Sequence, residues 1–400
     1  MKRLFSLLLI AVLLVHALPF SVSAAEETVT INVYNWGQYI SDGTDDCIDV
    51  IDEFEAAYPN IKVNYMTFDS NESMYTKLKA GGSTFDIIIP SDYMVQKLIE
   101  EDMLEQLDFS NIPNYQYIDD SFKNLAFDPG NLYSVPYTWG CVGVIYNTKY
   151  VDPADVGSWD LLWNEKYAGK ILMFDNPRDA FAIAESKLGY SINTEDSTLL
   201  SLAAGELREQ KPLVQAYVMD QIFDKMERGE AWIAPYYAGD FLLMVEENPD
   251  LDFYFPEEGF NLFVDAICIP RGAEHKEAAE TFINFLISPE ICAQNLEYLG
   301  YSAPSTAAKE LMDPDFAANP IAYPDGETLS GGTAFMSLSQ RGTQEMDSLW
   351  TMVKTADTAT TVYLILTVAA IALVIFLWIF FKVRKRNRKA RRCAKWKTAQ

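Results

Sequence analysis

From Thr28 onward the sequence alternates between strand-like and helix-like segments, and this rhythm constrains the fold more than any other feature. Apolar residues recur with a period of two in the first kind of segment and with helical spacing in the second. In the first part of the chain we predict strands at 30–34, 61–68 and 85–90 and helices at 45–58, 70–80 and 93–101. Such alternation indicates a mainly parallel α/β sheet with helices on both faces, in which ligands bind at the carboxyl ends of the strands.

A second α/β unit is predicted to begin after Tyr133–Tyr137. Strands are expected at 142–147, 170–174, 231–237 and 266–270, and helices at 178–188, 276–287 and 289–299. Two extended crossovers, near 134–138 and 264–268, would join two lobes through a hinge. The predicted boundaries are 25–136 for the first part of lobe 1, 137–265 for lobe 2, and 266–350 for a return to lobe 1 with the C-terminal helices.

Both ends of the chain predict an exported, membrane-anchored protein. Residues 1–24 combine Lys2 and Arg3 with a short apolar run and a small-residue triplet, which is the pattern of a secretory signal peptide. Residues 361–381 include an uncharged run that as a helix would cover about 30 Å, so we predict one transmembrane helix. The basic tail, 382–400, is expected to be cytoplasmic and the body extracellular or periplasmic.

The formal net charge of −26 is unevenly distributed. Residues 25–381 contain all 57 acidic residues but only 19 of the 31 basic ones, so this part carries −38. An acidic body repels nucleic acid and concentrates cations, which excludes nucleic acid as its partner.

Metal and histidine chemistry have few residues to use. The chain has only His16 and His275, and its five cysteines show no zinc-like spacing. Nucleophile-elbow, Walker and dinucleotide-binding motifs are missing from the sequence, so we expect neither a cofactor nor a metal. Paired carboxylates occur by chance among 57 acids, which leaves an extracellular carboxylate-dependent hydrolase as a disfavoured alternative.

Aromatic residues beside carboxylates or polar groups follow several predicted strands. The set contains Trp36, Tyr39, Ser91, Tyr93, Tyr236, Tyr237, Asp240, Phe263, Asp265 and Tyr301. A cation with an apolar stem needs ring faces, each worth about 0.5–2 kcal/mol, and carboxylates for its ammonium ends. Any one of these rings is more often a core residue, but together, at strand ends, they predict a polyamine pocket.

Several ordered motifs then make the sequence recognisable. They are Tyr-Asn-Trp-Gly-Gln-Tyr-Ile at 34–40, Tyr-x-Lys-Leu-Lys at 75–79, Phe-Asp-Ile-Ile-Ile-Pro-Ser-Asp-Tyr at 85–93, Val-Pro-Tyr-Thr-Trp-Gly at 135–140, Ser-Trp-Asp-Leu-Leu-Trp at 158–163 and Leu-Gly-Tyr at 299–301. From about 29 to 325 the chain resembles the spermidine/putrescine-binding proteins of polyamine ABC importers. The resemblance implies a type II periplasmic-binding fold, with the polyamine held between two lobes.

The resemblance also implies roles for individual residues. The family's stacking aromatics correspond to Trp36, Tyr39, Tyr93, Tyr237 and Tyr301, its polar neighbour to Ser91, and its carboxylates to Asp265, Asp240 and either Asp175 or Asp179. Tyr237 and Phe263 stand where members commonly have tryptophan. Asp240 replaces the serine of spermidine-preferring members and resembles the putrescine-type pattern.

These observations lead to one function and two alternatives. We expect a monomeric, membrane-tethered protein that captures putrescine or spermidine outside the cell and delivers it to ABC permease subunits. A polyamine sensor that signals through the transmembrane helix would use the same pocket. Transport is favoured over sensing because the tail of 19 residues after residue 381 contains no catalytic or partner-binding domain.

Overall fold

The computed structural model describes residues 28–44, 47–81 and 84–355, and residues 367, 371, 373, 375, 376, 380 and 382 individually. The predicted signal peptide at 1–24 lies outside the described residues. So do most positions of the predicted transmembrane helix and all of the basic tail after residue 382. In the part of the chain that is described, no helix is both long and apolar enough to cross a membrane.

Strands and helices alternate through most of the described chain. The strands are β1 (Val29–Trp36), β2 (Ile61–Phe68), β3 (Ile87–Ile88), β4 (Ser134–Asn147), β5 (Ile171–Phe174), β6 (Val214–Val218), β7 (Ile233–Tyr237), β8 (Leu251–Tyr254), β9 (Phe260–Cys268) and β10 (Gly332–Thr333). The longer helices are α1 (Val50–Ala57), α2 (Asn71–Ala80), α3 (Asp92–Glu100), α4 (Pro177–Lys187), α5 (Ser197–Gln210), α6 (Ile222–Glu227), α7 (Ala238–Glu247), α8 (Lys276–Leu286) and α9 (Pro289–Leu299). Three four-residue helices follow, α10 (Thr306–Lys309), α11 (Pro314–Ala317) and α12 (Gly326–Leu329), and a longer helix, α13, is described over 340–355.

The strands form one mixed sheet in the order β2-β1-β3-β9-β4-β7-β5-β6, with β10 beside β9 and β8 beside β4. Pairing is parallel around β1 and around β5, as predicted, but antiparallel wherever β4 or β9 meets another long strand. The two predicted crossovers are in fact these two neighbouring strands, and they pair from Ser134 opposite Cys268 to Cys141 opposite Leu262. They run in opposite directions because the chain leaves lobe 1 along one and returns along the other. Their register shifts between Pro136 and Thr138.

Two lobes lie on either side of this strand pair, each with its own hydrophobic core. In lobe 1, α1 and α8 pack on the sheet, and Phe54 meets Phe282 edge to face at a centroid distance of 4.9 Å. In lobe 2, Trp159 and Phe181 are fully buried among residues of β4, β5 and β7. The predicted α/β architecture of two lobes is therefore present.

Two elements differ in extent from the prediction. The helix expected from 45 begins at Val50, because the side chain of Asp49 accepts hydrogen bonds from the backbone N–H groups of Ile51 and Asp52 and caps the helix there. The strand expected over 85–90 pairs with its neighbours only at Ile87–Ile88. Its other apolar residues are buried without joining the ladder, and burial alone produces the same sequence pattern.

Helix α13 packs on lobe 2, whereas the predicted range 266–350 combined a return to lobe 1 with the C-terminal helices and did not place those helices on lobe 2. Leu338, Met346, Trp350 and Val353 belong to the core of lobe 2. At the C-terminal end of α13, Nζ of Lys211 donates hydrogen bonds to the carbonyl oxygens of residues 353 and 354, at 3.0 and 2.6 Å. These contacts fasten α13 to the second lobe.

Two glycines offer a matched test of this fold. A Cβ at Gly143, in the middle of β4, would lie 2.3 Å from Cζ of Phe253 and 2.6 Å from the carbonyl oxygen of Tyr254, whereas nothing lies within 4 Å of a Cβ at Gly205 in α5. Gly143→Ala is expected to lower the free energy of unfolding by about 1–3 kcal/mol through overpacking. Gly205→Ala should raise it by about 0.5–1 kcal/mol. Urea unfolding followed by circular dichroism measures both, and equal effects would contradict the packing of β8 on β4.

Candidate functional site

A deep cleft of about 890 Å³, including the space that opens to solvent, lies between the two lobes. Ten of the eleven predicted site residues line it: Trp36, Tyr39, Ser91, Tyr93, Asp179, Tyr237, Asp240, Phe263, Asp265 and Tyr301. The structure therefore brings together residues that span 266 positions of sequence, from 36 to 301.

Strand ends place most of these side chains. Trp36 is the last residue of β1, and Ser91 precedes the first turn of α3. In lobe 2, Asp179 lies in the first turn of α4, and Tyr237 ends β7 directly before α7, whose first turn contains Asp240. All of them lie at the carboxyl end of a strand or shortly after it, where α/β sheets bind ligands.

Asp265, on β9, is the carboxylate at the centre of the cleft and is 4% exposed. The hydroxyl of Tyr39 donates a hydrogen bond of 2.7 Å to its Oδ2, and among the described residues its Oδ1 has no hydrogen-bond partner. Burial raises the pKa of Asp265 to about 6, against the opposing effect of hydrogen bonds from Tyr39 and Ser91.

Asp179, in the first turn of α4, is one of the carboxylates of lobe 2 that line the cleft. Nδ2 of Asn176 and the hydroxyl of Tyr237 donate hydrogen bonds to its Oδ2 at 2.7 and 3.1 Å. Burial raises its pKa despite these bonds. Asp175, the other residue that the sequence left open, does not line the cleft; it forms an ion pair with Lys354 of α13.

Asp240, in α7, is a third carboxyl group that lines the cleft, and its side chain is half-buried. Burial raises its pKa to about 8, the hydrogen bond from Tyr301 opposes this rise, and the charge of Asp220 adds to it. The Tyr301 ring packs so closely on the backbone of Gly239 that a Cβ there would lie 2.7 Å from the ring. A glycine beside Asp240 is thus needed to seat this ring.

Aromatic rings form the walls between the carboxyl groups. Trp36 packs against Phe68 at a centroid distance of 4.7 Å, and Tyr39 meets Tyr301 edge to face at 5.2 Å. On the opposite side, Phe263 lies 5.5 Å from the ring of Tyr237 and 6.4 Å from that of Tyr301. Ring–ring contacts of this kind hold the side chains in place before a ligand arrives.

Several lining residues were not predicted: Asp69, Glu72, Asn176, Asp220 and Phe335. Asp220 follows β6, whose half-buried residues gave no strong strand pattern. Asn176 stands where a helix cap is expected, immediately before the proline of α4, so the N-cap pattern was an available signal. Phe335 arrives from a segment without periodicity, and no sequence pattern points to it.

With these additions the cleft has six acidic side chains: Asp69, Glu72, Asp179, Asp220, Asp240 and Asp265. Among the described residues that line it, none is basic. The described chain contains no cluster of histidine, cysteine or acidic residues arranged to hold a metal ion. Chemically, the cleft fits an organic cation whose charges lie at separate points along an apolar stem.

Comparison with known proteins agrees with this chemistry. The family described as bacterial extracellular solute-binding protein matches residues 49–324. The spermidine/putrescine-binding periplasmic protein of Escherichia coli strain K12 is 36% identical over 317 residues, which cover 79% of this chain and 89% of that protein. The putrescine-binding periplasmic protein SpuD of Pseudomonas aeruginosa is 29% identical and covers 88% of this chain and 99% of its own length.

Solved structures agree in fold. The spermidine/putrescine ABC transporter substrate-binding protein PotD of Streptococcus pneumoniae superposes with a TM-score of 0.69 at 37% identity, covering 82% of this chain and 99% of that chain. These relatives are solute-binding proteins and not enzymes, and the periplasmic-binding fold expected from the sequence is confirmed. The chain belongs to the bacterial extracellular solute-binding protein family.

Proposed function

We propose that this protein binds putrescine or spermidine outside the cell and delivers it to an ABC permease. The observation that carries the proposal is the cleft itself, in which six acidic side chains and a set of aromatic rings face each other and no basic side chain is found among the described lining residues. The names of the relatives, which state binding of spermidine or putrescine, support the same ligand class.

Recognition would use two kinds of contact. The rings of Trp36, Tyr237 and Phe263 offer faces to the methylene chain and to the ammonium charge. Asp265 on β9 and Asp240 on α7 would each receive one ammonium group through charge-assisted hydrogen bonds. Because Asp240 stands where the spermidine-preferring members that the chain resembles have serine, a second carboxylate would suit a shorter ligand, and we propose that the site prefers the diamine putrescine.

Like charges on opposite lobes would couple binding to closure. Burial raises the pKa of Asp220 of lobe 2, and the charge of Asp69 of lobe 1 raises it further. Burial likewise raises the pKa of Glu72 of lobe 1, and the charge of Asp179 of lobe 2 adds to that rise. The lobes approach so closely that a Cβ at Gly37 would lie 2.8 Å from Oδ2 of Asp220. A bound dication would replace this repulsion by attraction, so we propose that ligand binding drives the lobes to close about the β4–β9 strand pair.

Tethering is part of the proposal and rests on the sequence. The uncharged run in residues 361–381 has the length of a transmembrane helix, and the basic tail favours a cytoplasmic end. Since α13 is fastened to lobe 2 and is described as far as residue 355, six residues separate its described part from residue 361, and the proposed tether would begin about 20 Å or less of chain from that lobe.

The ligand and its central carboxylate can be tested together. Calorimetric titration of the full-length protein in detergent should show binding of putrescine or spermidine. Asp265→Asn should weaken this binding by at least about 2 kcal/mol, or roughly thirtyfold, because an ammonium group would lose a desolvated ion partner. Trp36→Ala should weaken it by about 0.5–2 kcal/mol through the lost ring face.

Asp224→Asn is the matched control, since Asp224 is 71% exposed, pairs with Arg228 on the helix surface and is not among the described residues that line the cleft. It should leave the affinity unchanged. Absence of binding by the parent protein would refute the proposed ligand class, whereas equal affinities of the Asp265 and Asp224 variants would refute the site assignment alone.

Delivery to a permease is tested in cells. Deletion of the gene should abolish uptake of labelled amine at low external concentration, and the intact gene should restore it, because the permease depends on the captured ligand. Restoration by a version with Asp265→Asn should be much weaker. Normal uptake in the deletion strain, together with binding by the purified protein, would instead favour the sensor alternative.

A further inference from the structure

Residues 334–339, here called the strap, join β10 to α13 beside the cleft. Phe335 lines the cleft and is 6% exposed, whereas Met336 beside it is 53% exposed. This segment follows the last strand and contains no regular secondary structure.

Most contacts of the strap are made with lobe 2. Nη2 of Arg178 donates to the carbonyl oxygen of Met336 at 3.0 Å and to Oδ1 of Asn193 at 2.7 Å. Asn193 in turn accepts from the backbone N–H of Met336 at 2.8 Å and donates to the carbonyl oxygen of residue 334 at 2.9 Å. At its far end, the backbone N–H of Ser339 donates to Glu195 at 2.7 Å. These hydrogen bonds therefore hold the strap on lobe 2.

Two contacts join the strap to lobe 1. The backbone N–H of Ser337 donates to Oε1 of Gln96, on α3, at 2.9 Å. The ring of Phe335 meets the ring of Tyr93, also on α3, edge to face at 5.7 Å. The guanidinium carbon of Arg178 lies 4.3 Å from the Phe335 ring centroid and 5.7 Å from that of Tyr93. One buried cation of lobe 2 therefore contacts both rings.

We propose that the strap is a latch, which lobe 1 engages through Gln96 and Tyr93 when the lobes close and releases when they open. The inference rests on the proposed function, because it needs a ligand that closes the lobes. Arg178 and Asn193 keep the strap in place on lobe 2, so engagement requires little ordering of the chain. Since Phe335 lines the cleft and α13 follows directly, the same segment touches the ligand site and the opposite lobe and leads into α13.

The latch predicts a change in ligand release. Gln96→Ala removes the acceptor for the Ser337 N–H without disturbing α3, because alanine favours helices and the side chain's other described contact is with Glu100 on the helix surface. The dissociation rate of putrescine should rise about fivefold, with the association rate unchanged, since one hydrogen bond specific to the closed state is lost. Stopped-flow tryptophan fluorescence of the full-length protein measures both rates.

Gln294→Ala is the matched control, because Gln294 lies exposed on α9 and donates to the carbonyl oxygen of Glu290 of its own helix. Its rates should equal those of the parent. Hydrogen exchange gives an independent readout: putrescine should slow exchange of the amides of Met336 and Ser337, and Gln96→Ala should reduce the effect at Ser337 more than at Met336.

The outcomes separate the two proposals. If putrescine protects the backbone around Tyr237 and Asp240 but leaves strap exchange and the Gln96→Ala release rate unchanged, the latch is refuted while polyamine binding stands. If putrescine protects neither region and no rate can be measured, the proposed function fails and the latch, which depends on it, fails with it.

Discussion

The interaction on which this structure depends is the burial of several carboxyl groups with no basic residue among the described side chains of the cleft. A buried carboxylate without a counter-ion is costly, and proteins commonly respond by holding the proton. Asp265 and Asp240 show this response, with pKa values raised to about 6 and about 8 by burial. Hydroxyl groups of Tyr39 and Tyr301 reduce the penalty without supplying charge. The site is therefore built to receive positive charge from outside.

The scaffold explains how such a site is assembled from distant parts of the chain. The antiparallel pair β4 and β9 runs through both lobes and places Asp265 between them. Parallel strands on each side end at the same cleft, so that their following turns deliver Trp36 from lobe 1 and Asp179 from lobe 2. Because each lobe has a separate core, the lobes can move as units while the carboxyl groups approach or separate.

Much of this arrangement could be predicted from sequence, because it follows local patterns. Strand β2 and helix α9 were predicted with their observed bounds, and ten predicted site residues line the cleft. The antiparallel crossovers could not be read from local periodicity, since strand direction depends on where the chain returns. Phe335 was missed for a related reason: its place in the cleft is fixed by Arg178 and Asn193, which are about 150 positions away. Asp175 and Asp179 could not be separated until helix α4 showed which one faces inward and α13 supplied a lysine for the other.

The central claim is that a dication supplies the charge that the cleft lacks, and proton release on binding tests it most directly. An ammonium group beside Asp240 should lower its pKa from about 8, so the protonated fraction must lose its proton when ligand binds. The sign follows: affinity should rise as pH increases from about 6 to 8, and at pH 7 binding should release about one proton per putrescine. Calorimetry in phosphate and in Tris, whose ionisation enthalpies differ, measures that number, and Asp240→Asn should reduce it. Zero release or proton uptake by the parent protein would contradict the account.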